Sequence, residues 1–138
     1  IQCLDIFVDC ASHLQQDARE QMASANMKRQ KELERICQAL ENIKEKKPGT
    51  FHEAMQLFWL FALLAGVINY GRLDDYLGPY LVADLESGRL TDEEAYRYIH
   101  SLWTMIENRR TTVNGRIIVG GKGRKHPKEA DVFLHIAM

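Results

Sequence analysis

The charged residues whose positions most clearly indicate a specific role lie in the segment Asn69-Tyr70-Gly71-Arg72-Leu73-Asp74-Asp75-Tyr76-Leu77. Arg72, Asp74 and Asp75 come after a long apolar run, on a turn that begins with Gly71. Because charged groups beside buried structure must be paired or solvated, two interpretations stay open. Either an Arg72–Asp ion pair locks the turn, or the three side chains give a substrate cavity a polar lining.

A second candidate is His52-Glu53, which begins like the helical zinc motif of metalloproteases. That motif needs a second His one turn later, so that both imidazoles reach one metal ion. Gln56 occupies that position. The sequence therefore predicts no metal site here, and it places His52 and Glu53 in the first turn of a helix.

Glycines at 115, 120 and 121 come close to the spacing of a phosphate-binding loop. Gly121 stands where such a loop needs its Lys, so the glycines are better explained as the end of a strand. The basic residues after them have no interleaved aromatic residues to stack bases, which favours a solvated surface loop. They are Lys122, Arg124, Lys125, His126 and Lys128.

Apolar periodicity predicts the elements that must position these residues. We expect a mainly helical fold with one or two short strands, in a single partial domain over 1–138. Its parts are N-terminal helices over 1–46, core helices over 50–110, a strand within 113–121 and a final helix over 127–138. The polar stretch 24–31 divides the first part into two helices.

Start and stop signals set the bounds of the core helices. Thr50 and Glu53 form a predicted capping box, and the helix they open runs to about Val67 with Gly71 as its exit. Pro79 at a first helical position predicts a short helix over Pro79–Ser87. A further capping box at Thr91 opens the next helix, whose end carries Arg109-Arg110.

The strand prediction rests on Arg116-Ile117-Ile118-Val119, a β-branched run between glycines. We expect this strand to be buried and alone. Because a lone buried strand leaves its backbone N–H and C=O groups unpaired, its partners must come from another chain or from further sequence.

Composition excludes several classes of function. Lys and Arg total 18 against 19 Asp and Glu, so the net charge of −1 gives no reason to expect nucleic acid or an anionic membrane as partner. The apolar run 57–68 is shorter than the about 20 residues that cross a bilayer. Cys3, Cys10 and Cys37 form no motif spacing and predict reduced thiols in a cytoplasmic protein. The chain has no initiator Met, and both ends look cut.

Four segments in order resemble the pyruvate formate-lyase-like glycyl radical enzymes. Thr50-Phe51-His52-Glu53-Ala54-Met55-Gln56-Leu57-Phe58-Trp59 is similar to the start of a core helix in that family. The segment 71–80 is similar to its Gly-Arg-x-Asp-x-Tyr-Leu-x-Pro-Tyr motif. The stretch 84–95 resembles the family's sequence after that motif, with Leu102-Trp103 in the next helix, and 116–121 looks like the family's strand ending in Gly-Gly.

The resemblance implies a fold and a reaction class. The fold would be part of a ten-stranded α/β barrel of two half-sheets sheathed in helices. In the reaction, a radical-SAM activating enzyme installs a backbone glycyl radical, which generates a thiyl radical on a cysteine. Abstraction of hydrogen from the substrate then leads to cleavage of a C–C or C–X bond, as in formate acetyltransferases, dehydratases and lyases of anaerobes. Val67, Ile68, Asn69 and Tyr70 align with a segment that the family brings near the substrate.

The catalytic residues of the family have no counterpart in this sequence. The family's cysteine comes after the Gly-Gly strand, whereas all three cysteines here precede the core helix. Its radical glycine precedes a Tyr, and this chain has no Gly-Tyr dipeptide. Asp75 also stands where dehydratases often have Gln. We therefore expect a piece of a glycyl radical enzyme that is inactive alone and binds no cofactor.

Each hypothesis predicts its own partners. A piece of an enzyme would bind the remainder of that enzyme or associate with itself, and the intact parent would bind its activating enzyme. The alternative is a free-standing, non-catalytic helical module for interaction or scaffolding. The substrate and the bond cleaved cannot be inferred from the sequence.

Overall fold

The computed structural model of the chain describes residues 2–110 and 115–138. Its elements are, in order, α1 (Gln2–Met22), α2 (Met27–Glu45), α3 (Phe51–Leu64), β1 (Asn69–Arg72), α4 (Leu73–Glu86), α5 (Asp92–Asn108), β2 (Arg116–Ile118) and α6 (Pro127–Ala137). The predicted class, mainly helical with one or two short strands, is confirmed. Within the described residues, no helix combines the length and the apolar character needed to cross a membrane.

Contacts divide the chain into an N-terminal unit, Ile1–Ala65, and a C-terminal unit, Gly66–Met138. In the N-terminal unit, α1 and α2 pack along each other and both contact α3. The predicted break between the first two helices is confirmed, because the Asn26 side chain accepts a hydrogen bond from the Arg29 N–H and caps α2. Buried apolar residues of all three helices form the core around Ala11, Leu40 and Leu60.

The end of α3 corrects one predicted boundary. The helix ends at Leu64 rather than near Val67. Gly66, with φ of 62°, comes after the C-cap Ala65 in the left-handed conformation that glycine adopts without strain. The exit is therefore Gly66, and the later Gly71 lies within β1.

The C-terminal unit contains a two-stranded parallel sheet, and this corrects the prediction of a lone strand. β1 pairs with β2 in the register Asn69↔Arg116, Gly71↔Ile117 and Arg72↔Ile118, with an irregularity between Asn69 and Gly71. β1 escaped prediction because its four residues show no alternation of apolar and polar side chains, and Gly71 adopts a φ of 66°. Periodicity cannot identify so short and irregular a strand.

The burial predicted for β2 is also wrong. Arg116 and Ile118 are exposed and only Ile117 is half-buried, with 46% of Ile118 accessible to solvent. The residue Val113, where the predicted strand region begins, lies outside the described residues. The β-branched run thus correctly indicated a strand. It did not indicate how far other residues of the chain bury the side chains of that strand.

The helix α4 begins six residues before the predicted start at Pro79. Leu73, Leu77 and Leu81 lie one turn apart and are buried, so packing favours a continuous helix. Pro79 lies inside the helix, where it lacks the N–H for one backbone hydrogen bond. Burial of the three leucines outweighs the lost hydrogen bond. The proline alone therefore does not determine where the helix begins.

The remaining helices agree with their signals. The capping box at Thr91 is present, with the Glu94 side chain bonding back to the cap residue. Pro127 opens α6, and its Ala130 and Phe133 are buried. Helix α6 crosses α4 at Gly78, where an added Cβ would lie 2.9 Å from the backbone carbonyl carbon of Glu129.

Candidate functional site

The end of β1 and the start of α4 bring Arg72 and Asp74 against one peptide unit. The Gly120 N–H donates to Asp74 Oδ2 at 2.6 Å, and Arg72 Nη2 donates to the Gly120 carbonyl oxygen at 2.6 Å. Arg72 Nη1 also donates to the Lys122 carbonyl oxygen at 3.2 Å. We call Arg72 and Asp74 the Gly120 clamp, because together they bond both polar groups of that residue.

Burial makes the clamp a costly arrangement. Asp74 is 0% exposed. Its Oδ1 and Arg72 Nε are both buried and lack hydrogen-bond partners within the described part of the chain. Desolvating a carboxylate is expensive unless it is hydrogen-bonded and paired with a positive charge. The two bonds to Gly120 connect the last residue of β1 and the first turn of α4 to the backbone shortly after β2.

Asp75 bonds a different part of the same loop. Its Oδ1 accepts a hydrogen bond from the His126 N–H at 2.8 Å. Helix α6 begins just after His126, whose own side chain provides no cap. The backbone N–H of His126 is the main reason that the pKa of Asp75 lies below its ordinary value. Asp75 thus supplies, from α4, the negative charge that the N-terminus of α6 favours.

The four residues predicted near a substrate differ in exposure. Val67 is half-buried, Ile68 and Asn69 are exposed, and Tyr70 is 4% exposed. Asn69 Oδ1 accepts a hydrogen bond from the Gly71 N–H at 3.3 Å, and the residue is exposed. The structure thus presents Ile68 and Asn69 and buries Tyr70 between neighbouring elements.

Two side chains that the sequence did not single out bond this segment. Arg109 Nη1 donates to the Val67 carbonyl oxygen at 2.5 Å and to the Tyr70 hydroxyl at 3.0 Å. The Tyr76 hydroxyl donates to the Tyr70 carbonyl oxygen. Burial, with a smaller contribution from the Asp74 charge, raises the pKa of Tyr76 to about 12. Tyr76 therefore stays protonated and remains a donor throughout the physiological pH range.

His52 and Glu53 form the first turn of α3, as predicted. The Thr50 side chain accepts from the Glu53 N–H at 3.2 Å, but the Glu53 carboxylate accepts from Gly49 N–H and from Asn42 Nδ2, each at 2.7 Å. Burial lowers the pKa of His52, which favours a neutral ring. Among residues 2–110 and 115–138, no three His, Cys, Asp or Glu side chains are grouped to hold a metal ion.

The basic loop after β2 is mostly exposed, as predicted for a surface loop. Lys122, Lys125, His126 and Lys128 are exposed, whereas Arg124 is half-buried and pairs with Asp131 of α6. A shallow groove of about 320 Å³ lies elsewhere in the C-terminal unit, lined by Asp92, Glu93, Tyr96, His135 and Ile136. It does not include the segment Val67–Tyr70.

Comparison with known proteins gives a family match over nearly the whole chain. A family model described as pyruvate formate lyase-like matches residues 1–132. An isethionate sulfite-lyase of Oleidesulfovibrio alaskensis is 27% identical over 110 residues, covering 75% of this chain and 13% of the relative. No solved structure matches significantly.

Two dehydratases are similar over shorter alignments. A trans-4-hydroxy-L-proline dehydratase of Clostridioides difficile is 28% identical over 87 residues, covering 58% of this chain and 11% of that enzyme. A (2S)-3-sulfopropanediol dehydratase of Klebsiella oxytoca is 32% identical over 89 residues, covering 60% and 11%. The chain thus spans about an eighth or less of the length of these relatives.

Proposed function

This chain belongs to the pyruvate formate lyase-like family, and from that premise we propose that it is one part of a glycyl radical lyase or dehydratase. The observation that carries the proposal is the family match over residues 1–132, with lyases and dehydratases among the relatives. The chain covers 13% of the isethionate sulfite-lyase, which favours a portion of the catalytic domain over a complete enzyme.

The role proposed for the chain is structural support of a substrate cavity. β1 and β2 would be two of the strands of a ten-stranded barrel, with their exposed residues covered by strands from the remainder of the enzyme. The solvent-exposed Ile118, at 46%, is consistent with such a neighbour. The Gly120 clamp would then hold a barrel strand against the helix that comes after β1.

The segment Val67–Tyr70 would reach the substrate. Because Asn69 Oδ1 accepts from the Gly71 N–H, Nδ2 would be the atom of this exposed side chain that donates to a substrate. A small polar substrate with acceptor oxygens suits such a donor. Cleavage of a C–C or C–X bond would proceed by the radical chemistry of the family.

The radical itself would be held elsewhere. When present, a glycyl radical made by a radical-SAM activating enzyme supplies hydrogen abstraction through a cysteine. The cysteines of this chain precede α3, and no Gly-Tyr dipeptide occurs in its sequence. These residues do not fit the family's radical site, so the chain alone would be inactive and would bind the remainder of its enzyme or a second copy. The activating enzyme would bind the intact parent, in the cytoplasm of an anaerobe.

Electron paramagnetic resonance tests this proposal. After anaerobic incubation of the chain with a radical-SAM activating enzyme and S-adenosylmethionine, we expect no glycyl doublet. The doublet and lyase activity should appear only when a polypeptide carrying the cysteine and radical glycine motifs is supplied. A doublet on the chain alone would contradict the proposal.

The alternative function is a free-standing helical module for interaction or scaffolding. The exposed apolar side chains Phe61, Leu63 and Leu64 of α3 favour a binding surface of some kind. Sequencing the flanking DNA separates the two. A piece of an enzyme requires a longer or adjacent reading frame with the cysteine and glycine motifs, whereas a module requires a complete gene of about this length.

A further inference from the structure

The end of α5 fixes the candidate cavity segment at two points. A single guanidinium nitrogen of Arg109 donates to the Val67 carbonyl oxygen at 2.5 Å and to the Tyr70 hydroxyl at 3.0 Å. These acceptors lie 42 and 39 residues away in the sequence. Arg109 therefore bonds both ends of the segment, and the two exposed residues, Ile68 and Asn69, lie between the bonded ends.

The Tyr70 ring provides a third restraint. An added Cβ on Gly115 would lie 2.6 Å from Tyr70 Cε2 and 3.0 Å from Ile106 Cγ2. The ring thus fits against the bare backbone of Gly115, just before β2. Any side chain at position 115 would displace the ring, because carbon atoms do not approach so closely.

β2 itself is bonded to the same segment. The Arg116 N–H donates to the Ile68 carbonyl oxygen at 3.0 Å. Movement of the segment would therefore change the environment of Gly115 and the protection of the Arg116 amide. These two groups report the position of Ile68 and Asn69 independently of any substrate.

We propose that Arg109 is a positioning residue that sets the conformation of Val67–Tyr70 and thereby the direction in which Ile68 and Asn69 are presented. Arg109 acts through the segment and does not itself touch the substrate. A guanidinium suits this role because its donors form a rigid, planar fork that remains charged. The meaning of the role for catalysis rests on the proposed function, whereas the structural role does not.

Nuclear magnetic resonance of the full 138-residue chain tests the proposal with two variants. Arg109→Gln removes the charged fork, and Tyr70→Phe removes only the hydroxyl while keeping the ring. With Arg109→Gln we expect the Gly115 Hα resonances to shift as the ring current of Tyr70 changes, and exchange of the Arg116 amide to accelerate about tenfold or more. With Tyr70→Phe both effects should be smaller, because the Val67 bond remains.

Arg97→Gln is the matched control, since Arg97 lies exposed on α5, the helix that Arg109 follows, and bonds to Glu93 within the first half of that helix. It should leave Gly115 and Arg116 unchanged. Unchanged Gly115 and Arg116 signals in both test variants would overturn the proposal. So would equal acceleration of the buried Leu77 and Phe133 amides, because that would indicate general destabilisation rather than positioning.

Steady-state kinetics then separate this proposal from the proposed function. In an active parent enzyme, Arg109→Gln should raise KM more than it lowers kcat, because a misplaced segment weakens substrate binding without removing the radical residues. Unaltered kinetic constants in this active enzyme would overturn the proposal that Arg109 positions Ile68 and Asn69 for the substrate. An activatable parent that has no lyase or dehydratase activity would overturn the proposed function, and the resonance data on Arg109 would stand.

Discussion

The two units of the chain are stabilised by different kinds of contact. In the N-terminal unit, apolar stripes on helices pack together, and the side chains of Ala11, Leu40 and Leu60 form the core. In the C-terminal unit, side chains near the start of α4 bond backbone groups 46 to 51 residues away. Helix periodicity therefore encodes the first unit, whereas single long-range polar contacts shape the second.

The largest effect should come from removing the buried carboxylate of the Gly120 clamp. Asp74→Ala leaves the Gly120 N–H without its side-chain acceptor. We expect the free energy of unfolding of the C-terminal unit to fall by about 2–3 kcal/mol, as when other backbone donors lose a charged acceptor. Urea unfolding followed by amide exchange, unit by unit, measures this change.

One further variant separates the charge of Asp74 from its hydrogen bond, and a second serves as a control. Asp74→Asn keeps an acceptor oxygen and should be destabilised less than Asp74→Ala. Glu86→Ala is the control, because it removes an exposed carboxylate of the same helix and should change the unfolding free energy by no more than about 0.5 kcal/mol. Equal stability of Asp74→Ala and the unaltered chain would show that the clamp contributes nothing.

A smaller loss should occur at the crossing of α4 and α6. In Gly78→Ala the new methyl group would lie 2.9 Å from the Glu129 carbonyl carbon and oxygen. Overpacking of this kind typically destabilises by about 1–3 kcal/mol, and the better helix propensity of Ala offsets about 1 kcal/mol. We therefore expect a net loss of about 1 kcal/mol, measured by thermal unfolding.

Gly49→Ala in the N-terminal unit is the corresponding control. Its added Cβ would meet only Glu53 Oε2, at 3.6 Å, which is ordinary contact. It should leave the melting temperature nearly unchanged. If Gly78→Ala were stabilising, α4 and α6 would have to separate more easily than their close backbone contact indicates.

These contrasts explain which features the sequence could predict. The apolar stripes that identify α1, α2 and α5, and the capping residues Thr50 and Thr91, are local patterns that extend over only a few residues. The family resemblance is also confirmed, by the family match over residues 1–132. It could be predicted because its motifs are local and occur in order. Contacts such as Arg72 with Gly120 depend on how distant segments meet, and no local pattern encodes them.

The candidate site was accordingly predictable only in part. The sequence identified the charged residues Arg72, Asp74 and Asp75 but not the backbone groups that they bond. It gave no signal for Arg109, because an arginine at a helix end is ordinarily explained by the helix dipole. The sequence identified the glycines at 115 and 120. It did not identify the steric requirement for Gly115, because the aromatic ring that leaves no room for a Cβ there belongs to Tyr70, far upstream in the sequence.

A polar contact buried in the N-terminal unit tests whether that unit depends on specific bonds at all. Gln15 Nε2 donates to the Cys37 carbonyl oxygen at 3.0 Å and to Glu41 Oε2 at 2.9 Å, linking α1 to α2. In Gln15→Leu an apolar group of similar size replaces the amide between two helices that are already packed. We expect a loss of about 1 kcal/mol or less, measured by urea unfolding.

The matching substitution at Asp74 shows whether the two units differ in their dependence on buried polar contacts. Asp74→Leu, the parallel change in the C-terminal unit, should be far more destabilising, because the Gly120 N–H would lose its charged acceptor. A loss at Gln15→Leu equal to that at Asp74→Leu would show that both units depend on buried polar contacts, and the distinction would fail.

The smallest effect should be a pH dependence at the junction of α4 and α6. Hydrogen bonds from backbone N–H groups, first that of His126, hold the pKa of Asp75 below its ordinary value of 3.8. For a depressed carboxyl pKa, the stabilisation is fully present above the unfolded pKa and is lost as the pH falls through the folded one. Protection of the α6 amides should therefore decrease below about pH 4.

Asp75→Asn isolates this contribution, because the amide oxygen still accepts from His126 while the titrating charge is removed. The variant should lose the acid-dependent change in α6, whereas the N-terminal unit keeps its own. There the Lys44 side chain, ahead of Gln15, holds the pKa of Glu41 below its ordinary value. If Asp75→Asn left the pH profile of α6 unchanged, the carboxylate would not be what stabilises the start of that helix, and the contact between α4 and α6 at Gly78 would have to account for its position.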